Sequence, residues 1–106
     1  MLNNITVQGR LVRDPELRHT QSGKAVASFT LACDQDRNRD NTDFIDVVVW
    51  EKRAEFVCKF FQKGSMAIAT GRLQMRKYED KDGNNRTAYE ILADNVYFGS
   101  AKKADD

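Results

Sequence analysis

The sequence predicts an all-β barrel of five strands with one short helix. Three observations carry that expectation. Five segments alternate apolar and polar residues at the two-residue period of half-buried strands. A single segment, following the third of these, carries its apolar residues at helical spacing instead. Gly9 stands inside the first strand, where it lets the strand curl as a small closed barrel requires.

The elements are justified in chain order. Over residues 4–12, Ile5, Val7 and Leu11 share one parity with Gly9 among them, which reads as the first strand. Residues 13–24 form a connection, opened by Asp14-Pro15 and closed by Ser22-Gly23, with room for a short extra strand over 17–20. The second strand spans 25–33, with Ala27, Phe29 and Leu31 on one side and Ser28 and Thr30 on the other. Residues 34–43 contain no apolar side chain, so an exposed, mobile loop is expected there. The third strand, 44–50, places Ile45, Val47 and Val49 toward a core and Phe44, Asp46, Val48 and Trp50 away from it.

A helix follows over 51–62, because Ala54, Val57, Cys58 and Phe61 fall at i, i+3, i+4 and i+7. Glu51 at its start and Lys59 and Lys63 at its end suit the helix dipole, and Gly64 is a natural stop. The fourth strand, 66–78, sets Ala67, Ala69, Gly71 and Leu73 against Arg72, Arg76 and Tyr78. Asp82-Gly83 signals a hairpin into the fifth strand, 86–98, where Tyr89, Ile91 and Ala93 share a parity. With the helix between strands three and four, this order fits the five-stranded Greek-key barrel known as the OB fold. The 106 residues and 41% hydrophobic content suit one such domain over 1–100, followed by a short polar end over 101–106.

Several function classes find no support. There is no phosphate-binding Gly-x-x-x-x-Gly-Lys loop and no Gly-x-Gly-x-x-Gly turn. His19, beside Thr20 in a polar stretch, reads as a solvated histidine rather than a catalytic base. Asp80 and Asp82 lack the later carboxylates of a calcium loop. Cys33 and Cys58 belong to no Cys-x-x-Cys pair and read as small, semi-buried thiols. With His19 alone they cannot complete a structural zinc site without carboxylate help. No apolar run approaches the ~20 residues of a membrane helix, and the first ten residues lack a signal peptide's apolar core. The expectation is a non-enzymatic, cytoplasmic protein without metal or cofactor.

Charge supplies the positive signal. From Trp50 to Tyr78 there are seven basic residues and two acidic ones, so this stretch carries +5 where the whole chain carries +1. Aromatic rings bracket that segment. Cations that follow phosphates, beside rings on which bases stack, are the parts of a single-stranded nucleic-acid groove. Phe44, Trp50 and Tyr78 are the candidate stacking plates, although a lone Trp also suits a core. Lys52, Arg72, Arg76 and Lys77 are candidate phosphate contacts, with Lys63 at the helix end, whereas Lys59 fits a solvated helix face. Asp46, between two rings, would repel phosphate, and pairing with Arg72 or Arg76 across the sheet would resolve this.

These same residues resemble the bacterial-type single-stranded DNA-binding protein family, including its phage members. The opening stretch Met1 to Arg18 with its Asp-Pro-Glu turn, Gly23 to Ala32, Phe44 to Trp50, and Phe60-Phe61-Gln-Lys-Gly-Ser65 follow in family order. So do Gly71-Arg-Leu73, Arg76-Lys-Tyr78 and Tyr89 to Val96. The resemblance implies an OB fold, sequence-tolerant binding of single-stranded DNA in replication, recombination and repair, and a homo-oligomer, commonly a tetramer, with a dimer as the alternative. It implies base stacking at Phe44, Trp50 and Tyr78 and phosphate contacts at Arg76, Lys77, Lys52 and Lys63. A cellular member would be nucleoid-associated, and a viral one would work in the host cytoplasm. Arg37 stands where many members carry another stacking aromatic, and its guanidinium plane is a possible loop contact. Ile45 replaces a histidine common at the family's subunit interface. The sequence stops at Ala104-Asp105-Asp106 without the long acidic-tipped tail of most bacterial members, so tail-mediated partners are not carried over. The rival readings are an OB accessory factor of primosome type, acting through protein contacts, and an enzyme built on the same scaffold.

Overall fold

The computed structural model describes residues 1–35 and 38–100, and of 38–40 the backbone alone. Arg37 and the polar end 101–106 lie outside the described residues. The elements are β1 (Ile5–Leu11), β2 (Glu16–His19), β3 (Ala25–Gln35), β4 (Asn38–Trp50), α1 (Lys52–Phe60), β5 (Met66–Glu79) and β6 (Asn85–Phe98). The sheet runs β1-β5-β6-β4-β3-β2, and an extra β1–β3 pairing closes five of its strands into a barrel. All pairings are antiparallel except β4–β6. The helix thus follows the fourth strand of the chain and the third strand of the barrel, because β2 is an added strand on the edge of β3.

The alternation in the sequence sets the inside. Leu11, Ala27, Phe29, Leu31, Val47, Val49, Ala67, Ala69 and Ile91 are buried together, and Ala54, Val57 and Phe61 plug the barrel from the helix side. Ile45 only packs partly against this core. Closing so small a barrel brings backbones unusually near. A side chain at Gly9 would meet the Ala32 carbonyl oxygen at 2.6 Å, and one at Gly71 would run into the Leu92 carbonyl. The β5–β6 register also shifts between Thr70 and Gly71, the bulge that bends this hairpin.

Four expectations are revised. The loop expected over 34–43 is mostly strand, since Cys33 pairs with Asp43 and Asp34 with Thr42. Ladder hydrogen bonds need no apolar side chain, and the Thr42 hydroxyl adds a 3.2 Å bond to the Asp34 carboxylate. The helix is shorter than 51–62. Phe61 is already extended at φ −117° and ψ 148°, yet its ring still fills the core. Gly64 therefore does not cap the helix but serves the turn beyond it, at φ +89°. Leu73, expected inside, is exposed, because β1 starts at Ile5, opposite Gly71, and β5 has no strand neighbour on that side beyond it.

Candidate nucleic-acid interface

Strand parity decides which side chains share the outer face. Antiparallel partners directly opposite each other project to the same side. The pairs Val26–Trp50, Ser28–Val48, Thr30–Asp46 and Ala32–Phe44 lay out the β3–β4 part of that face. Arg72–Leu92, Gln74–Glu90, Arg76–Ala88 and Tyr78–Arg86 lay out the β5–β6 part. The parallel pair Val48–Leu92 joins the two. Phe44, Trp50 and Tyr78 all lie on it and are 67%, 39% and 42% exposed, so none serves as a core plug.

A groove of about 620 Å³ crosses this face, within the range that small organic ligands occupy. Trp50, Val48 and Asp46 line it from β4, Gln74 and Arg76 from β5, and Glu90 from β6. Tyr78 instead borders a second depression with Lys77, Asn85 and Arg86, farther along the β5–β6 hairpin. Phe44 and Arg72 line neither depression. Lys77, paired with Thr87, has the opposite parity from Tyr78 and reaches the depression only from its border. Lys52 opens α1 and is exposed. Lys63, also exposed, sits in the turn before β5, where its backbone N–H donates to the Asp14 carboxylate at 2.8 Å.

Two side chains at the groove gave no advance signal in the sequence. Arg18 on β2 stands opposite Val26, which stands opposite Trp50, so the three form one row across three strands. Arg13, just before β2, lines the same groove. Nothing in a polar 13–24 stretch reveals this, because it follows from β2 docking on β3. His19, read as solvated, is exposed on β2 and also borders the groove.

The arginines beside Tyr78 are held in place. Glu90 is the one buried charged residue among those described. Its carboxylate accepts from the Gln74 amide at 2.9 Å and from Arg76 Nε at 3.3 Å. The Arg76 guanidinium lies 5.2 Å from the Tyr78 ring centre, within cation–π range. Arg86, directly across from Tyr78, donates through Nε to Asp80 at 2.8 Å. Asp80 also accepts from the backbone N–H groups of Asn84 and Asp82. The Arg86 bond, seconded by these, holds its carboxyl below the ordinary range. Each arginine is thus tied by its innermost nitrogen, with its two terminal amino groups beyond that bond as a planar donor fork.

Asp46 does not pair with Arg72 or Arg76 as expected. Among the described residues Arg76 is bonded to Glu90, and Asp46 accepts only the Thr30 hydroxyl, at 2.7 Å. The physical reason is register: Arg76 lies across from Ala88, one step from Glu90, and Glu90 is the buried acid that most needs a cation.

Comparison with known proteins agrees with this geometry. The model of the single-strand binding protein family matches residues 2–99. "Single-stranded DNA-binding protein 1" of Staphylococcus aureus (strain MSSA476) is 47% identical, with 100% of this chain and 70% of that protein covered. "Single-stranded DNA-binding protein 2" of Listeria monocytogenes is 47% identical over 92% of this chain and 64% of that protein. A "Single-stranded DNA-binding protein" of Fusobacterium nucleatum is 44% identical over 95% of this chain and 69% of its own length. A closed five-stranded barrel, a ring-bearing outer face and these matches lead to one conclusion: the chain belongs to the single-strand binding protein family.

Proposed function

We propose that this protein coats single-stranded DNA without regard to sequence, in replication, recombination and repair, and carries out no catalysis. The observation that carries the reading is the single outer face that holds Phe44, Trp50 and Tyr78 together with Arg72 and Arg76. Rings stack on bases, each contributing roughly 1–3 kcal/mol, and guanidinium groups take the phosphates. Lys52, Lys63 and Lys77 extend the cationic track toward the helix and the hairpin, and Arg13, Arg18 and Arg86 are added to it. Binding needs no cofactor, and the protein works in the cytoplasm.

The working form is a homo-oligomer, a tetramer before a dimer. Two features support this. Ile5 to Gln8 pair with β5 on one side, while β1 meets β3 only at Arg10 and Leu11, so the other edge of β1 is open to a further strand. On the inner-parity side of the β5–β6 hairpin, Leu73, Met75 and Tyr89 are exposed together, with Met75 opposite Tyr89.

The test is a titration of Trp50 fluorescence with oligothymidylate and with duplex of equal length at several salt concentrations. Strong quenching by the single strand and little response to duplex are expected. Affinity should fall with salt at a log–log slope of about −0.7 per phosphate contacted. Trp50→Ala should weaken binding by roughly 1–3 kcal/mol. Equal response to duplex and single strand would overturn the reading, and no response to either would favour a protein-binding accessory role.

A further inference from the structure

Asp46 is out of place in a groove for a polyanion. It lies on the same strand face as Phe44 and Trp50 and lines the groove with Arg76 and Glu90. Among the described residues no cation pairs with it. The Thr30 hydroxyl bonds one carboxylate oxygen, Oδ1, and so fixes the group's orientation, while Oδ2 receives no hydrogen bond from a described residue. An exposed, oriented, un-neutralised acceptor in such a groove repels phosphate and attracts donors.

The single-stranded ligand offers donors at one place. The Watson–Crick edge of every base carries at least one N–H: N3 of thymine or uracil, the exocyclic amine of cytosine or adenine, N1 and the amine of guanine. A carboxylate can accept from any of them, as it does from the cytosine amine in groove readout. In a duplex the ring N–H groups and one N–H of each exocyclic amine are taken by the opposite strand, which leaves only the second amine N–H, pointing into a groove. Phe44 precedes Asp46 by two residues, about 7 Å along the strand. A base stacked on that ring therefore has its edge within reach of the carboxylate.

We propose that Asp46 is a specificity-determining contact for unpaired bases, accepting a hydrogen bond from the Watson–Crick edge of the base stacked on Phe44. The contact is blind to base identity but not to pairing, so it favours single strands without adding sequence preference. Its negative charge also turns the strand, with bases toward Asp46 and phosphates toward Arg13, Arg18 and Arg76. This inference rests on the single-strand binding proposed above.

The test is a two-by-two comparison. Wild type and Asp46→Ala are each titrated with oligothymidylate and with the same oligomer carrying N3-methylthymine throughout, which blocks the N3–H donor and keeps the stacking ring. Absolute affinity is not diagnostic, because removing a negative charge tightens any oligonucleotide. The ratio of the two affinities is. Wild type should bind the methylated oligomer about three- to tenfold more weakly, and Asp46→Ala should bind both alike. The same preference in both proteins, or none in wild type, would overturn the proposal. Asp46→Asn, whose amide oxygen can still accept, should keep part of the preference, and its complete loss in Asn would count against an accepted hydrogen bond. If wild type fails to bind the unmodified oligomer, single-strand binding itself is what fails.

Discussion

Glu51 joins Trp50 to the helix with a backbone that glutamate does not favour. Its φ of 58° and ψ of −122° match the first central position of a type II′ turn, which glycine adopts without strain. No side-chain hydrogen bond caps the helix from Glu51; the backbone alone links it, by N–H to the Ala25 carbonyl at 2.7 Å and by carbonyl to the Glu55 N–H at 3.1 Å. A strained residue next to a groove ring is held there by the ladder on one side and the helix on the other. Glu51→Gly should raise stability by about 0.5–1 kcal/mol, read as a higher urea midpoint at unchanged slope. A lower midpoint would show that the glutamate side chain contributes more than its backbone costs. Sequence reasoning could place Glu51 at a helix start, but a positive φ at a non-glycine residue leaves no mark in the pattern. The same limit applies to Glu90 and Asp46, whose partners depend on register.

At the scale of elements, the β5–β6 hairpin shows why register was the missing information. Asp82-Gly83 announces a turn, but the turn's length fixes the pairing. The structure pairs Glu79 with Asn85, and so puts Tyr78 opposite Arg86 and Gln74 opposite Glu90. A tight two-residue turn at Asp82-Gly83 would shift every pair by one and place Tyr78 opposite Thr87. Asp80 selects the longer loop by accepting from the N–H groups of Asp82 and Asn84 and from Arg86. Because its carboxyl titrates lower folded than unfolded, the stabilisation it gives is present above the ordinary aspartate range. It fades as pH falls through that range toward the folded value. An NMR titration should find Asp80 ionising below a peptide aspartate, with the Arg86 Nε–H signal shifting in step. Asp80→Asn should abolish that step. A normal Asp80 midpoint would mean the Arg86 tether is not held in solution.

At the scale of the whole molecule, the barrel and its helix were legible because burial imposes a period on the chain. Ala27, Phe29, Leu31, Val47 and Val49 report their side of the sheet by position alone. The ring-bearing face was legible for the same reason, since parity puts Phe44 and Trp50 opposite that core. The extension of β3 to Gln35 and of β4 back to Asn38 was not, because two polar strands that pair beyond the barrel bury no apolar side chain. The proposed assembly draws on an open β1 edge and an exposed Leu73, Met75 and Tyr89 surface. Sedimentation at several concentrations should find the free protein heavier than a monomer, and Tyr89→Glu with Met75→Glu should shift it toward smaller species. A monomer throughout would remove oligomerisation from the proposed function.

The cylinder is fastened at two narrow clasps, β1 to β3 and β4 to β6, where Val47–Ile91 and Val48–Leu92 are the only register pairs among the described residues. Only the pairs Arg10–Ala32 and Leu11–Leu31, with the Val12 N–H bond to Thr30 beside them, tie the first strand to the third, whereas β3 and β4 are zipped along their length. Thermal breathing should therefore begin at these two seams, the second of which, at Val48 and Leu92, crosses the ring-bearing face. The long zipped pair that carries Phe44 and Trp50 can stay rigid while both seams loosen, so that half of the ring-bearing face outlasts the closure of the vessel that shapes it.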